Sequence, residues 1–429
     1  MGVHQLPAGT GRSMVLLLLL ATGNEFFQRQ VLALSLVPIG LELDLDDTEL
    51  GLLLMLFGMT YGLLALWLGE LADRMSRRRI LALGVAFAGL MTALGAAATS
   101  FATLAATRMG VGAGQAGMMP SAQALLADGF PPERRATLVG VVVMGAPLGI
   151  LVALAMGGFA IERFGWRACF VGSGVLGLLV AGVLARFLFE PPRGFSEGRS
   201  GEVLEAPRIG SVVRHLLGLR SFRYLIVAVT FASMGAMSQA QWTPGFLQRV
   251  HGMPLSRAGL VLAGVGVASA LGSLLGGALA DRMARRDLRW YAWVPGLASL
   301  ASAPFFIVAF LWPEPLGAVA WLALPSFGSM FFGPPAAAIV QGLAPLSMRA
   351  MAGALLAAVL TMVGMGFGPL LTGALSDLLE ARHGQESLRY ALCGIGVAYA
   401  LAGLLLLLAA RSLREDLAAA GSTLGRPGA

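Results

Sequence analysis

Three ionisable side chains stand in runs too apolar to hold a charge cheaply. Glu25 and Arg29 lie in the run from Met14 to Pro38, and Arg108 lies in the run that begins at Ala102. Charges inside a bilayer are costly, so each is a candidate for solute binding or ion coupling. Glu25 and Arg29 are spaced i,i+4 and share one helix face. Counted from the cytoplasmic side, Glu25 is about 16 Å into its span and Arg29 about 22 Å. Arg108 enters from the other side and lies about 9 Å deep, close to the height of Arg29, which is about 8 Å from that surface. The three charges leave one net positive, which suits a phosphate or carboxylate head group. A plainer reading pairs Glu25 with Arg29 structurally and lets Arg108 snorkel outward. Asn24, Gln28 and Gln115 line the same cavity or, equally, hydrogen-bond between helices. In the second half, Gln239 and Trp242 join Ser233, Ser238 and Gln241 in a polar face near Pro244, with no deep charge nearby. A charged half and an apolar, aromatic half suit an amphiphile with an anionic head.

The elements that must position these residues are apolar helices. Hydrophobic residues make up 57% of the chain, charged residues only 12%, and the mean hydropathy is +0.78. Soluble domains carry about 25% charged residues, so this composition describes an all-α integral membrane protein. Twelve spans are expected near 14–38, 50–72, 80–100, 102–127, 136–161, 167–189, 222–247, 257–280, 290–312, 316–343, 351–378 and 389–411. They divide into an N-terminal six-helix bundle (1–189), a polar linker (190–221), a C-terminal six-helix bundle (222–412) and a tail (413–429). The basic residues are all arginine, and they crowd the loops of one side. That side is read as cytoplasmic, with both termini, the linker and the tail on it. The net charge of +7 therefore reports topology rather than nucleic-acid binding. Two cysteines and four scattered histidines give neither a disulfide framework nor a metal site.

The halves repeat one another. Gly69-Glu70-Leu71-Ala72-Asp73-Arg74-Met75-Ser76-Arg77-Arg78 returns 208 residues later as Gly277-Ala278-Leu279-Ala280-Asp281-Arg282-Met283-Ala284-Arg285-Arg286. Gly145-Ala146-Pro147 in span 5 has a counterpart in Gly368-Pro369 of span 11. The duplicated loop resembles the signature of the major facilitator superfamily, whose Gly-x-x-x-Asp-Arg-x-x-Arg-Arg segment joins helices 2 and 3. The resemblance implies twelve helices in two bundles and a gating role for Gly69, Asp73, Arg74, Arg77, Arg78, Gly277, Asp281, Arg282 and Arg285. Gly112-Ala113-Gly114-Gln115-Ala116-Gly117 fits a dinucleotide fingerprint in form only. It lies inside an apolar span with no strand before it, so it is read as a smooth packing face. No P-loop lysine exists, which argues against ATP-driven pumping by this chain.

Within the superfamily, residues 24–194 are similar to the spinster family of lysolipid and sphingolipid transporters. The similarity rests on Phe26-Phe27-Gln28-Arg29, on Arg108-Met109-Gly110-Val111-Gly112-Ala113-Gly114-Gln115-Ala116, and on Gly165-Trp166-Arg167 and Glu190-Pro191-Pro192-Arg193-Gly194. Gln28 and Gln115 replace two family carboxylates, so proton coupling either moves to Glu25 or is lost. The expectation is a secondary active or facilitative transporter working by alternating access, with its site between the halves near the midplane. Its substrate is expected to be a lysophospholipid or other anionic amphiphile, the alternative being proton-coupled efflux of drugs or small organic acids. A membrane sensor or scaffold has no need of charges at that depth. An enzyme is a poor fit, since no catalytic constellation appears. No cofactor is expected beyond possible proton coupling. The expected partners are membrane lipids and a lipid-like or small-molecule substrate, without nucleic acid, for a monomer in a bacterial-type inner membrane.

Overall fold

The computed structural model describes residues 10–72, 75–192, 209–345 and 348–420, with all their side chains except those of 66, 69–72, 132, 136 and 350. Among the described residues there are helices and no strand. In chain order they are α1 (Thr10–Leu43), α2 (Asp47–Ala72), α3 (Arg77–Gly95), α4 (Phe101–Gln115), α5 (Met118–Gly129), α6 (Pro132–Val143), α7 (Gly145–Val152), α8 (Gly158–Phe187), α9 (Ile209–Gly218), α10 (Arg220–Arg249), α11 (Leu255–Ala284), α12 (Trp290–Leu311), α13 (Pro315–Ser329), α14 (Gly333–Leu343), α15 (Arg349–Val359), α16 (Gly366–His383) and α17 (Ser387–Ala419). Eight stretches of the described residues are long and apolar enough to cross a membrane. Two of them, Glu133–Phe187 and Met351–Ala419, far exceed the ~20 residues of one crossing. Each contains a glycine at positive φ, Gly165 (+81°) and Gly384 (+54°), where the backbone leaves the helical region.

Local sequence sets the helix ends. The Ser76 hydroxyl accepts from the Arg79 N–H to start α3, and Ser100 with Thr103 forms a reciprocal capping box for α4. Pro132 opens α6 at a position where no N–H is needed. A π-helical turn, Ala153–Gly157, joins α7 to α8, and another, Leu360–Met365, joins α15 to α16. The stretch expected to be a linker carries α9, whose His215 Nε2 lies 3.2 Å from the Leu343 carbonyl.

Contacts divide the chain into two units. The first comprises Met1–Leu45, Leu56–Leu204 and Pro254–Leu260, and the second Asp46–Met55, Glu205–Met253 and Val261–Ala429. Met14, Leu18, Leu81, Leu125 and Leu184 belong to the core of the first. In the second, the buried Phe306 ring stacks on Tyr399 at 5.1 Å and Phe246 meets Phe310 edge-on at 5.3 Å.

Each unit holds the same helix-end device. In the second, the Asp377 carboxylate of α16 accepts from the Asp47 N–H at 3.1 Å, the Thr48 N–H at 2.7 Å and the Thr48 hydroxyl at 2.5 Å. It thereby caps the N-terminus of α2 from another helix. In the first, the Glu162 carboxylate of α8 accepts from the Ser256 N–H at 3.1 Å, at the N-terminus of α11. Thr48 and Ser256 are 208 positions apart, the offset of the duplicated loops, and Glu162 and Asp377 are 215 apart. One turn before each carboxylate a glycine admits the capped helix: Gly158 faces the Leu255 carbonyl, and Gly373 the Asp47 carbonyl. The second unit adds a bidentate pair, Arg249 to Asp47, at 2.7 and 2.5 Å.

Two clamps at helix ends give measurable consequences. Asp377→Ala and Glu162→Ala each remove a cap, at an expected cost of about 0.5–2 kcal/mol. Because the caps lie in different units, the double variant should lose the sum to within about 0.5 kcal/mol in detergent unfolding. In the first unit, Trp166 Nε1 donates to Glu42 at 2.5 Å and Arg167 Nε at 2.9 Å, while Arg167 also donates to the Ala96 and Ala98 carbonyls. The Trp166 hydrogen bond, and then that from Arg167, hold the Glu42 carboxyl below its ordinary value of 4.5. A depressed carboxylate stabilises the fold above its unfolded pKa and loses that contribution as pH falls through the folded one. The Tm gap between wild type and Glu42→Gln should therefore be open at neutral pH and close on acidification below 4.5.

Candidate functional site

One face of α1 carries Glu25, Gln28 and Arg29, the first two almost wholly buried. Helix α4 ends at Gln115, and the chain turns at Ala116-Gly117 before α5. These two segments build a continuous polar chain. Arg29 Nη2 pairs with Glu25, and Arg29 Nε donates to Gln115 Oε1 at 3.0 Å. Gln115 Nε2 donates to Gln28 Oε1 at 3.2 Å, and Gln28 Nε2 donates to the Ser173 carbonyl on α8, also at 3.2 Å. Each glutamine uses both ends of its amide. The sequence alternative of interhelical hydrogen bonding is realised for Gln28 and Gln115.

The Arg29 guanidinium is boxed by rings. Its carbon lies 4.8 Å from the centre of Phe26, 5.1 Å from that of Phe57 and 4.7 Å from that of Tyr61. Ring faces offer partial negative charge without a formal anion, an interaction that strengthens when water is absent. Phe57 and Tyr61 on α2 were not among the residues expected from sequence. Their spacing, one turn apart with a hydroxyl in an apolar run, was the available signal.

Arg108 is not in this chain. Arg29 meets α4 at Gln115, seven residues and about 10 Å from Arg108. The expectation of equal heights and one three-charge cavity is thus corrected. Counting from assumed span ends could not show which residue of α4 Arg29 meets. A Cβ on Gly112 would lie 2.7 Å from the Phe57 carbonyl, and one on Gly114 would lie 2.6 Å from that of Gly84. The Gly112–Gly117 segment is the packing face the sequence suggested.

Arg108 is 3% exposed, stacks over Phe170 at 4.9 Å, and does not snorkel. Its Nε and Nη2 have no hydrogen-bond partner among the described residues. Gly95 makes the room: a Cβ there would sit 2.9 Å from Nη2.

The remaining expected residues are placed elsewhere. Asn24 is buried beside Gln28, near Gly177 of α8, and also lines a crevice with α7 and α8. In the second unit, Gln239 donates to the Ser326 hydroxyl at 2.5 Å, and fully buried Trp242 donates to the Pro369 carbonyl at 2.9 Å. That carbonyl lies near the start of α16, so Trp242 ties α10 to a backbone group of that helix. Of the gating loop, Asp73 and Arg74 lie outside the described residues, and Gly69 is in the last turns of α2. Arg77 pairs with Asp128, and its N–H donates to Glu190 Oε1 at 2.7 Å, while Ser76 donates to Glu190 Oε2 at 2.5 Å. Arg78 reaches the Leu188 carbonyl at 3.4 Å. Gly277 packs against Pro334, and Asp281, Arg282 and Arg285 are exposed.

Comparisons with known proteins agree with this architecture. A family model described as Major Facilitator Superfamily matches residues 18–362. An MFS-type efflux pump of Mycolicibacterium smegmatis is 31% identical over 369 residues, covering 85% of this chain and 84% of the relative. A probable L-galactonate transporter of Escherichia coli is 26% identical over 85% of this chain and 82% of its own. A crystal structure of a bacterial homolog to the human lysosomal transporter Spinster superposes with a TM-score of 0.86 at 25% identity, covering 96% of this chain and 99% of that one.

The Glu25–Arg29 pair supplies its own test. Arg29→Met would leave Glu25 buried without its cation, at an expected cost of about 3–5 kcal/mol. Adding Glu25→Gln should recover most of that loss in detergent-unfolding measurements. A double variant no better than the single would show that the aromatic box, not the ion pair, carries the stability.

Proposed function

Because the chain belongs to the major facilitator superfamily, and is therefore an integral membrane transporter rather than an enzyme, we propose that it carries an anionic solute by alternating access, with Arg108 as anchor for the solute's carboxylate or phosphate. The observation that supports this reading is the state of that side chain. Glu25 and Arg29 neutralise one another, whereas Arg108 is buried with two guanidinium nitrogens unpartnered among the described residues. A planar cation in this condition suits a bidentate oxyanion.

The first substrate class is a lysophospholipid or another anionic amphiphile. Its support is the spinster-like pattern of residues 24–194 and the structural likeness over 96% of the chain. The second class is export of drugs or small organic acids, favoured by the likeness to the mycobacterial efflux pump and the galactonate transporter. Both classes share the anion and differ in the tail. Proton coupling is assigned to Glu25, the one carboxylate of the α1–α4 chain; without it the carrier would equilibrate its solute. The bacterial plasma membrane, with both termini cytoplasmic, is the location that the arginine distribution favours.

The test is uptake into proteoliposomes of labelled lysophospholipid and, separately, of a labelled sugar acid, each with and without a pH gradient. Arg108→Gln should lower uptake of the true substrate by about tenfold or more, the worth of a charge-assisted hydrogen bond. Glu25→Gln should keep uptake but abolish any response to the gradient. Normal transport by Arg108→Gln would remove the anchor from the reading. Transport of the sugar acid alone would select the second substrate class.

A further inference from the structure

Behind the polar chain, the first unit holds a crevice of about 650 Å³ framed by α1, α7 and α8. That volume falls within the ordinary range of small-molecule sites. Leu20, Asn24, Phe27 and Val31 form one stripe of α1 along it. Its outer walls include Met156 and Phe164, 65% and 68% exposed, so the opening faces the side where a bilayer's chains would lie. No charged residue lines it. The Ser173 hydroxyl on its wall is already committed to the Phe170 carbonyl at 3.1 Å.

Asn24 is the exception. Its residue is 7% exposed, and its Oδ1 is buried without a hydrogen-bond partner. Hydrocarbon cannot donate to it, and an unmet amide in such surroundings is costly. The site therefore asks for an apolar body carrying one neutral donor. A charged head would find no counter-charge in this lining, which separates the crevice from the Arg108 site and makes the inference independent of the transport reading. We propose that the crevice is a binding site for a neutral, single-chain amphiphile with a hydroxyl group, whose chain fills the apolar lining and whose O–H donates to Asn24 Oδ1. The occupant lies against the back of the polar chain, because the Ser173 carbonyl accepts from Gln28 and Asn24 precedes Glu25.

The structure provides its own reporter and its own plug. Cys169 lines the crevice, and Cys393 is the only other cysteine in the chain. Gly172 also lines it, and a Cβ there would meet nothing within 4 Å, so a larger side chain enters the crevice without displacing a neighbour. The experiment measures N-ethylmaleimide modification of Cys169 in Cys393→Ser protein in phosphatidylcholine nanodiscs, with 1-dodecanol, dodecane or dodecanoate added. The expected result is saturable protection by dodecanol, with half-protection at about fivefold lower concentration than for dodecane, the worth of one net hydrogen bond. Asn24→Leu should bring dodecanol to the level of dodecane, and Gly172→Phe should abolish protection by both. Equal protection by alcohol and alkane in the Asn24 protein would mean bulk hydrocarbon fills the groove and would overturn the proposal. Absence of protection would overturn it too, as would stronger protection by dodecanoate, which would mark an anion site.

Discussion

A guanidinium at membrane depth has to bring its solvent with it, and the first unit is arranged around how Arg29 does so. Water would offer this side chain several acceptors, and hydrocarbon offers none. The chain substitutes a carboxylate one turn away, an amide oxygen from α4, and three ring faces. Each substitute fixes a helix. Gln115 draws α4 onto α1, Phe57 and Tyr61 tie α2 to the same point, and Gln28 extends the tie to α8. In the turns just before Gln115, Gly112 lets α4 close on α2 at the Phe57 carbonyl and Gly114 lets it close on α3 at the Gly84 carbonyl. The polar chain and the glycine face are two parts of one requirement.

The helix ends follow the same logic with backbone groups in place of a side chain. The first N–H groups of a helix have no partner within it. Asp377 and Glu162 supply acceptors for α2 and α11 from neighbouring helices, each beside a glycine that allows the approach. The equal offsets of the capped residues show that the duplication extends to hydrogen bonding at helix termini. The copies are not identical, since the Arg249–Asp47 pair strengthens the second alone.

Much of this was legible in the sequence for reasons of solvation. Apolar runs and arginine-rich loops are imposed by the bilayer, so fold class and the candidate charges could be read directly. The i,i+4 spacing of Glu25 and Arg29 offered their pairing only as the plainer alternative to a three-charge solute site. What the sequence withheld were facts of crossing geometry. Nothing in Arg29 or Arg108 tells where α1 passes α4, and counting from span ends put the two arginines level when about two turns of α4 separate them. Trp242 illustrates a second limit. A tryptophan in a polar stripe invites a binding role, yet its N–H serves the Pro369 carbonyl, a need visible only once α10 and α16 are side by side. Glu162 and Asp377 are unremarkable as letters, because their partners are backbone atoms.

The two glutamines define what kind of carrier this chain can be. At Gln28 and Gln115 the spinster family has acids, and the hydrogen bonds here require donors: Gln28 gives to the Ser173 carbonyl, and Gln115 gives to Gln28. A carboxylate at Gln28 would face that carbonyl oxygen with lone pairs on both sides and would hold the arrangement only when protonated. The amide makes that donor permanent. An acid at either position could make and break this link with each proton taken up or released, whereas the amides keep it made at every pH. Glu25 is then the carboxylate of this chain, one turn from the guanidinium it pairs with. The amides thus leave the contact between α1, α4 and α8 without a carboxylate and confine the acid of the chain to a single turn of α1.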